Sequence, residues 1–240
     1  MELKDYIFKR KSTRSYMAKI IEPDVLADIT EYISNLKPLY PDIKVKAEIV
    51  GKKDVKSIMT WLPPQILAIY SEEKEGMFEN IGFMFQQLDL YLHSIGLGCC
   101  WVGLGKADTS VPADETSLKF VILLAFGYPK NSDFRSNPSD FKRKSLTEIS
   151  NDSSACLEPA RLAPSAVNSQ PWYFVSDNGI FHTYRNKRGI LSKFRKTMNL
   201  IDMGIALAHM YVANTESFDF FKTDSYPEQK GMEYIGSFKI

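Results

Sequence analysis

Phe78, Ile81, Phe85, Leu88, Leu92 and Ile95 recur at alternating spacings of three and four residues, which sets them along one side of a long helix. Most of that stripe belongs in a core, and the chain carrying it must supply surfaces to cover it. Three strand patterns do so. Val45, Ala47 and Ile49 alternate with Lys44, Lys46 and Glu48, the pattern of a half-covered strand ended by Gly51. After Pro63-Pro64, Gln65 to Ser71 reads as a more hydrophobic strand, and Glu72 to Glu75 form a polar entry to the helix. Phe120 to Phe126 is apolar almost without a break, as in a strand covered on both faces, and Gly127-Tyr128-Pro129 stops it.

Breakers and caps place the other elements. Residues 2–10 fit a short helix, and Pro23 opens a second that runs to about Leu36, ahead of Pro38 and Pro41. Gly96 suits the end of the long helix, and the apolar residues after it suit a return into the sheet. A further pattern starts near Ser153 with a helix through about Arg161, a polar turn from Pro164 to Gln170 and an aromatic strand from Trp172 to Val175. Asn178-Gly179 signals a hairpin with Ile180 to Tyr184 as the returning strand. A basic stretch holding Arg185, Lys187, Arg188, Lys193, Arg195 and Lys196 precedes an apolar helix over Leu200 to Val212, and Tyr234 to Ile240 reads as an edge strand. Asn80-Ile81-Gly82 and Asp202-Met203-Gly204 hint at two related helix-and-strand units.

Composition narrows the class. Thirty Lys and Arg against 29 Asp and Glu leave a net charge of +1, so no strongly basic nucleic-acid surface is indicated. No apolar segment approaches the length of a membrane span and Met1 to Arg10 hold no apolar signal-peptide centre, so a cytoplasmic protein without a membrane partner is expected. Cys99, Cys100 and Cys156 form no C-x-x-C pair, and His93, His182 and His209 stand apart, so neither a disulfide scaffold nor a metal site is expected. Neighbouring cysteines in an apolar strand read as small core side chains rather than a redox pair. Trp61, near a turn, is a residue that could border a pocket.

Two short segments carry chemistry. Arg10-Lys11-Ser12-Thr13-Arg14 gathers three cations and two hydroxyls in five residues, suited either to a phosphate or to a solvated surface run. Pro164-Ser165-Ala166-Val167-Asn168-Ser169-Gln170-Pro171-Trp172 joins a rigid turn to hydroxyl and amide groups that could meet polar ligand atoms or simply cap and tie the turn. Residues 130–144 add five cations against two carboxylates, a surface excursion able to attract an anion.

Here the sequence resembles the FMN-dependent nitroreductase-like family. Arg10 to Tyr16 is similar to its R-x-S-x-R-x-aromatic pattern, and Pro164 to Trp172 to its P-S-x-x-N-x-Q-P-W pattern. Gly96-Leu97-Gly98-Cys99-Cys100-Trp101-Val102-Gly103 resembles the G-L-G-x-x-W-x-G segment, and Phe126 to Pro129 the G-Y-P strand end. The order departs from the usual one, since the proline-serine-asparagine segment follows Gly127-Tyr128-Pro129 instead of the arginine motif. That order resembles a subfamily in which two diverged halves share one chain and imitate a domain-swapped homodimer.

The resemblance implies an α+β, three-layer fold with a central mixed sheet, built as a single-chain pseudo-dimer of residues 1–150 and 151–240 with an FMN site between them. It implies that Arg10, Ser12 and Arg14, with Lys11 beside them, meet the phosphate and ribityl chain, and that Lys142, Arg143 and Lys144 add phosphate contacts. Pro164, Ser165, Ala166 and Asn168 would form the turn against the flavin, Gln170 would support it or reach the ribityl chain, and the backbone of Val102, Gly103 and Leu104 would approach the ring. No nucleophile is required, because the flavin carries the redox step. The implied activity is ping-pong transfer from NAD(P)H to a nitroaromatic, quinone or related small acceptor, completed within a monomer. The alternative is a flavin-binding module without turnover.

Overall fold

The computed structural model describes residues 2–108, 117–131, 134–187 and 193–240. After a 3₁₀ turn at Leu3–Phe8, the first part of the chain forms α1 (Pro23–Ser34), β1 (Val45–Gly51), β2 (Val55–Ser57), β3 (Gln65–Glu72), α2 (Met77–Ser94), β4 (Gly98–Val102), β5 (Gly105–Ala107) and β6 (Leu118–Gly127). The remainder forms α3 (Leu146–Ile149), α4 (Glu158–Leu162), β7 (Trp172–Asp177), β8 (Ile180–Asn186), α5 (Lys193–Ala213), β9 (Asp219–Phe221) and β10 (Met232–Lys239). Arg188 and the side chain of Lys193, counted above in the basic stretch, lie outside the described residues, as do residues 132–133 of the 130–144 excursion.

The chain is α+β with mixed sheets in a three-layer arrangement. One four-stranded sheet has the order β1-β3-β6-β4 and the other the order β7-β8-β10-β9, while β2 and β5 pair as a small third sheet. Every strand ladder is antiparallel, so the sheets are mixed only through the isolated parallel bridges that join Ser12 to Cys99 and Ser150 to Phe174. The two large sheets follow one plan: two strands, a long helix, then two strands, with the last strand inserted between the second and third. The inner faces of both sheets, with Leu67, Leu124, Phe174 and Phe238 among their side chains, share one core with α2 and α5.

The two long helices meet at glycines. A Cβ on Gly82 would lie 2.0 Å from the Ile201 carbonyl oxygen, and one on Gly204 would lie 1.9 Å from that of Glu79. The next contacts are reciprocal too, with Ile205 N facing Gly82 and Phe83 N facing Gly204. Gly82, Glu79 and Phe83 are separated from Gly204, Ile201 and Ile205 by one constant offset, so exchanging the helices restores the contact. Only glycine lets the backbones approach this closely.

Several expectations shift against this frame. Helix α2 is buried around most of its girth, not only along the predicted stripe, while Ile95 beyond its end is exposed. Several of its buried polar residues find partners. The Gln87 amide, for instance, donates to the Lys37 and Phe83 carbonyls and accepts from the Lys37 N–H. Strand β10 is no edge: it lies between β8 and β9. Helix α5 begins at Lys193, earlier than its apolar run, because polar residues are carried on its outer face.

Candidate functional site

The turn after α4 is the most strained backbone among the described residues. Val167, Asn168 and Gln170 adopt positive φ values of 49°, 57° and 46°. A β-branched valine in that region is costly, so the surroundings must over-determine the turn. Three sets of hydrogen bonds do so. Arg143 Nη1 donates to Asn168 Oδ1 (2.7 Å), and Asn168 Nδ2 donates to the Lys142 carbonyl (2.9 Å). Lys144 donates through its backbone N–H to Gln170 Oε1 (2.7 Å) and through Nζ to the Gln170 carbonyl (2.9 Å). From the other side, Asp202 of α5 accepts from the Ala166 N–H at 3.0 Å and from Ser169 Oγ at 3.3 Å. Asn168 and Gln170 therefore serve the turn itself, with Ser165 Oγ closing it by accepting from the Gln170 N–H (2.9 Å).

Asp202 is buried, and desolvation pushes its carboxyl up to about 7 against the two hydrogen bonds that favour its charge. Its counterpart under helix exchange is Asn80, whose Oδ1 accepts from the backbone N–H groups of Leu39 (2.8 Å) and Tyr40 (3.0 Å). Both helices thus use an equivalent side chain to pin a loop. On the Asn80 side, the ring of Tyr40 lies where a Cβ on Gly76 would come within 2.7 Å of it.

The arginine motif runs beside β4. Thr13 N–H donates to the Cys99 carbonyl (2.9 Å), and Thr13 packs so closely on Gly98 that a Cβ there would lie 2.2 Å from its Oγ1. Arg10 is only 1% exposed; its Nε donates to Asp89 Oδ1 at 2.8 Å and its Nη2 to Ser12 Oγ at 3.1 Å. Burial raises the Asp89 carboxyl, but Arg10 and His93 outweigh it and hold the group well below the usual range. Behind this pair, Arg135 donates to the Arg10 carbonyl and stacks 4.2 Å over Phe141, while Arg143 Nε donates to the Ala163 carbonyl (2.9 Å). Burial and then the charge of Arg10 draw both Arg135 and Arg143 down to about 10. Neither forms an ion pair with a carboxylate among the described residues.

These segments enclose a cleft of about 270 Å³. Ser12 and Arg14 line one part, Val102, Gly103 and Leu104 another, and Pro164, Ser165, Ala166 and Val167 a third, with Asp202 beside them. The other walls are largely apolar, with Trp61, Trp101, Phe194 and Met198 prominent. A Cβ on Gly103 would come 3.0 Å from Met198 Sδ, so glycine leaves bare backbone here. The Trp101 indole is fixed from behind: Nε1 donates to Gln86 Oε1 (3.2 Å), and Gln86 Nε2 lies 3.0 Å from His209 Nε2. Because His209 Nδ1 faces the Pro159 carbonyl at 2.9 Å, it carries the ring proton, and burial holds this neutral ring's pKa at about 3.

The family described as "Putative TM nitroreductase" matches residues 2–214. The chain belongs to this nitroreductase family. Among solved structures, it is similar to a protein from Thermotoga maritima described as a "putative nitroreductase", at 20% identity and a TM-score of 0.64 over 99% of this chain and 92% of that one. It is also similar to a nitroreductase family protein from Clostridium difficile, at 15% identity and a TM-score of 0.50, covering 62% of this chain and 96% of that one. No curated protein matches the chain. At these identities the likeness is one of fold.

Of the residues singled out in the nitroreductase motifs, the cleft takes Ser12, Arg14, Val102, Gly103, Leu104, Pro164, Ser165 and Ala166. Arg10, Lys11, Lys142, Arg143, Lys144, Asn168 and Gln170 are not among its walls. Lys11 is exposed and offers its carbonyl to His93 Nε2 at 3.0 Å. Cys100 lines the cleft, and burial raises both adjacent thiols. Sequence reasoning did not assign Asp202 to the site; its signs were an acid inside an apolar helical run and the echo of Asn80-Ile81-Gly82 in Asp202-Met203-Gly204. Arg135 was marked only as one of the five cations of the 130–144 excursion, since nothing local relates it to Arg10.

Proposed function

We propose that this chain is an FMN-dependent oxidoreductase that takes hydride from NAD(P)H and passes electrons, in ping-pong order, to a small acceptor such as a nitroaromatic or quinone. The observation that carries this reading is the convergence of Ser12 and Arg14, the bare backbone at Gly103 and the strained turn 164–167 on one otherwise apolar cleft. The residues fit the cofactor. The cleft walls suit a flat aromatic ring with a few polar edges. Arg14 and Ser12 on the cleft wall offer a cation and a hydroxyl for a phosphate or ribityl chain, whereas the charge of Arg10 is already matched by Asp89. FMN, when bound, supplies hydride acceptance and release.

The chain's own residues then position and shield. Arg14 and Ser12 present donors at one rim, and Pro164 to Ala166 present the turn that Asp202 pins. Trp61, Phe194 and Met198 exclude water from the open side while leaving room for an aromatic visitor. No side chain here is required to act as nucleophile.

The two halves of the notional pair are residues 1–150 and 151–240, and the site draws on both. The shared strand order, the reciprocal glycines and the Asn80–Asp202 equivalence support descent from one unit. One site per chain is expected, because the arginine motif and the proline-serine-asparagine turn each occur once. Such a chain needs no second copy to complete its cleft, and a cytoplasmic location supplies its reductant.

The test is flavin retention after FMN loading and gel filtration. Wild type should hold the flavin, and R14A and N168A should each lose it, the second by releasing the turn from Arg143. Equal retention by folded R14A and N168A would overturn the assigned site. Retained flavin that no reduced nicotinamide bleaches would mark a binding module without turnover.

A further inference from the structure

A second depression adjoins the cleft. It has a volume of about 670 Å³ and shares Arg14 and Trp61 with the first. Its walls carry four cations, Arg14, Lys52, Lys53 and Lys130, and no carboxylate. All four are exposed and none is held in an ion pair among the described residues. Their backbones are fixed: Lys52 N–H donates to the Pro64 carbonyl (3.1 Å) and Lys130 N–H to the Ser15 carbonyl (3.0 Å). Trp61, stacked beside Tyr16 with ring centroids 6.3 Å apart, stands between the two spaces.

A rigid groove with four unmatched cations selects a ligand with several negative charges, and its shared wall with the cleft requires that ligand to reach into both. We propose that this groove receives the phosphorylated adenosine arm of the nicotinamide donor while the nicotinamide lies in the cleft, and that it favours NADPH over NADH. Of the two visitors in the proposed cycle, only the dinucleotide necessarily carries phosphates, and NADPH carries one more than NADH. The inference rests on the flavin reading for the nicotinamide end, whereas the groove can be tested without it. Each exposed lysine contributes little alone and is screened by salt, so the effect appears when several are removed together.

The experiment titrates adenosine 2′,5′-bisphosphate into the protein by calorimetry and measures turnover with NADPH and with 1-benzyl-1,4-dihydronicotinamide, a hydride donor without phosphates. Wild type should bind the bisphosphate in a salt-sensitive manner. K52A/K53A/K130A should bind it about tenfold more weakly, and its kcat/KM for NADPH relative to the benzyl donor should fall by about tenfold. The charge-reversed K53E/K130E should show the same direction, which guards against a folding defect in either variant. Absent bisphosphate binding, equal binding by wild type and variants, or an unchanged ratio in a flavin-loaded protein would overturn the groove assignment. A protein that retains no flavin yet binds the bisphosphate through these lysines would keep the groove and overturn the flavin reading instead.

Discussion

Asp89 and Asp202 are buried carboxyls on the two packed helices, and their surroundings push them in opposite directions. Asp89 is held low by Arg10 and His93, so its contribution is present above the ordinary carboxylate range and is lost as pH falls. Asp202 is pushed up to about 7 by burial. Between about pH 4 and 7 the folded chain therefore keeps a proton that the unfolded chain releases, and stability falls as pH rises through that window. His209, held neutral at about 3, contributes the opposite slope over part of the same range. The difference between wild type and D202N isolates the aspartate. Denaturant melts across this range should show D202N gaining relative to wild type from pH 4 to 7 and no further above it. D89N strands the Arg10 charge in the interior and should cost about 3 kcal/mol or more in the same melts. The motif spacing marked Arg10, but neither its burial nor its partner: Asp89 lies on α2, and only tertiary packing brings the two together.

At the scale of elements, the crossing of α2 and α5 governs where the cleft walls stand. G82A and G204A each place a methyl group against a backbone carbonyl, so both should destabilise by at least about 2 kcal/mol, with the helices forced apart. Because one separation relieves both clashes, the double variant should cost less than the sum of the singles. Chemical denaturation of the three variants checks this. The elements themselves were largely readable: hydrophobic period marked α2, β1, β3 and β6, and Asn178-Gly179 marked the β7–β8 hairpin. Misreadings arose where context overrides pattern. The alternation near the end of the chain suits an edge strand, yet β9, too short to advertise itself, covers β10. The strain at Val167 could not be read either, because the hydrogen bonds that impose it come from Lys142 to Lys144 and from Asp202.

For the whole molecule, the repeated sheet plan and a cleft lined from both parts of the chain tie the proposed activity to one chain. Bound FMN should approach one equivalent per chain, independent of protein concentration, when flavin absorbance is compared with sedimentation mass across a dilution series. Half an equivalent, or loss of flavin on dilution of a dimer, would mean that the cleft is completed by another copy. The cleft between Ser12, Gly103 and the 164–167 turn is expected to hold a flavin that reduced nicotinamide can reach. The most direct measurement is anaerobic addition of NADPH or NADH to the FMN-loaded, gel-filtered protein, followed by a quinone. The bound flavin's visible absorption should bleach rapidly and return when the quinone is added. A folded protein that emerges colourless after FMN loading would contradict it.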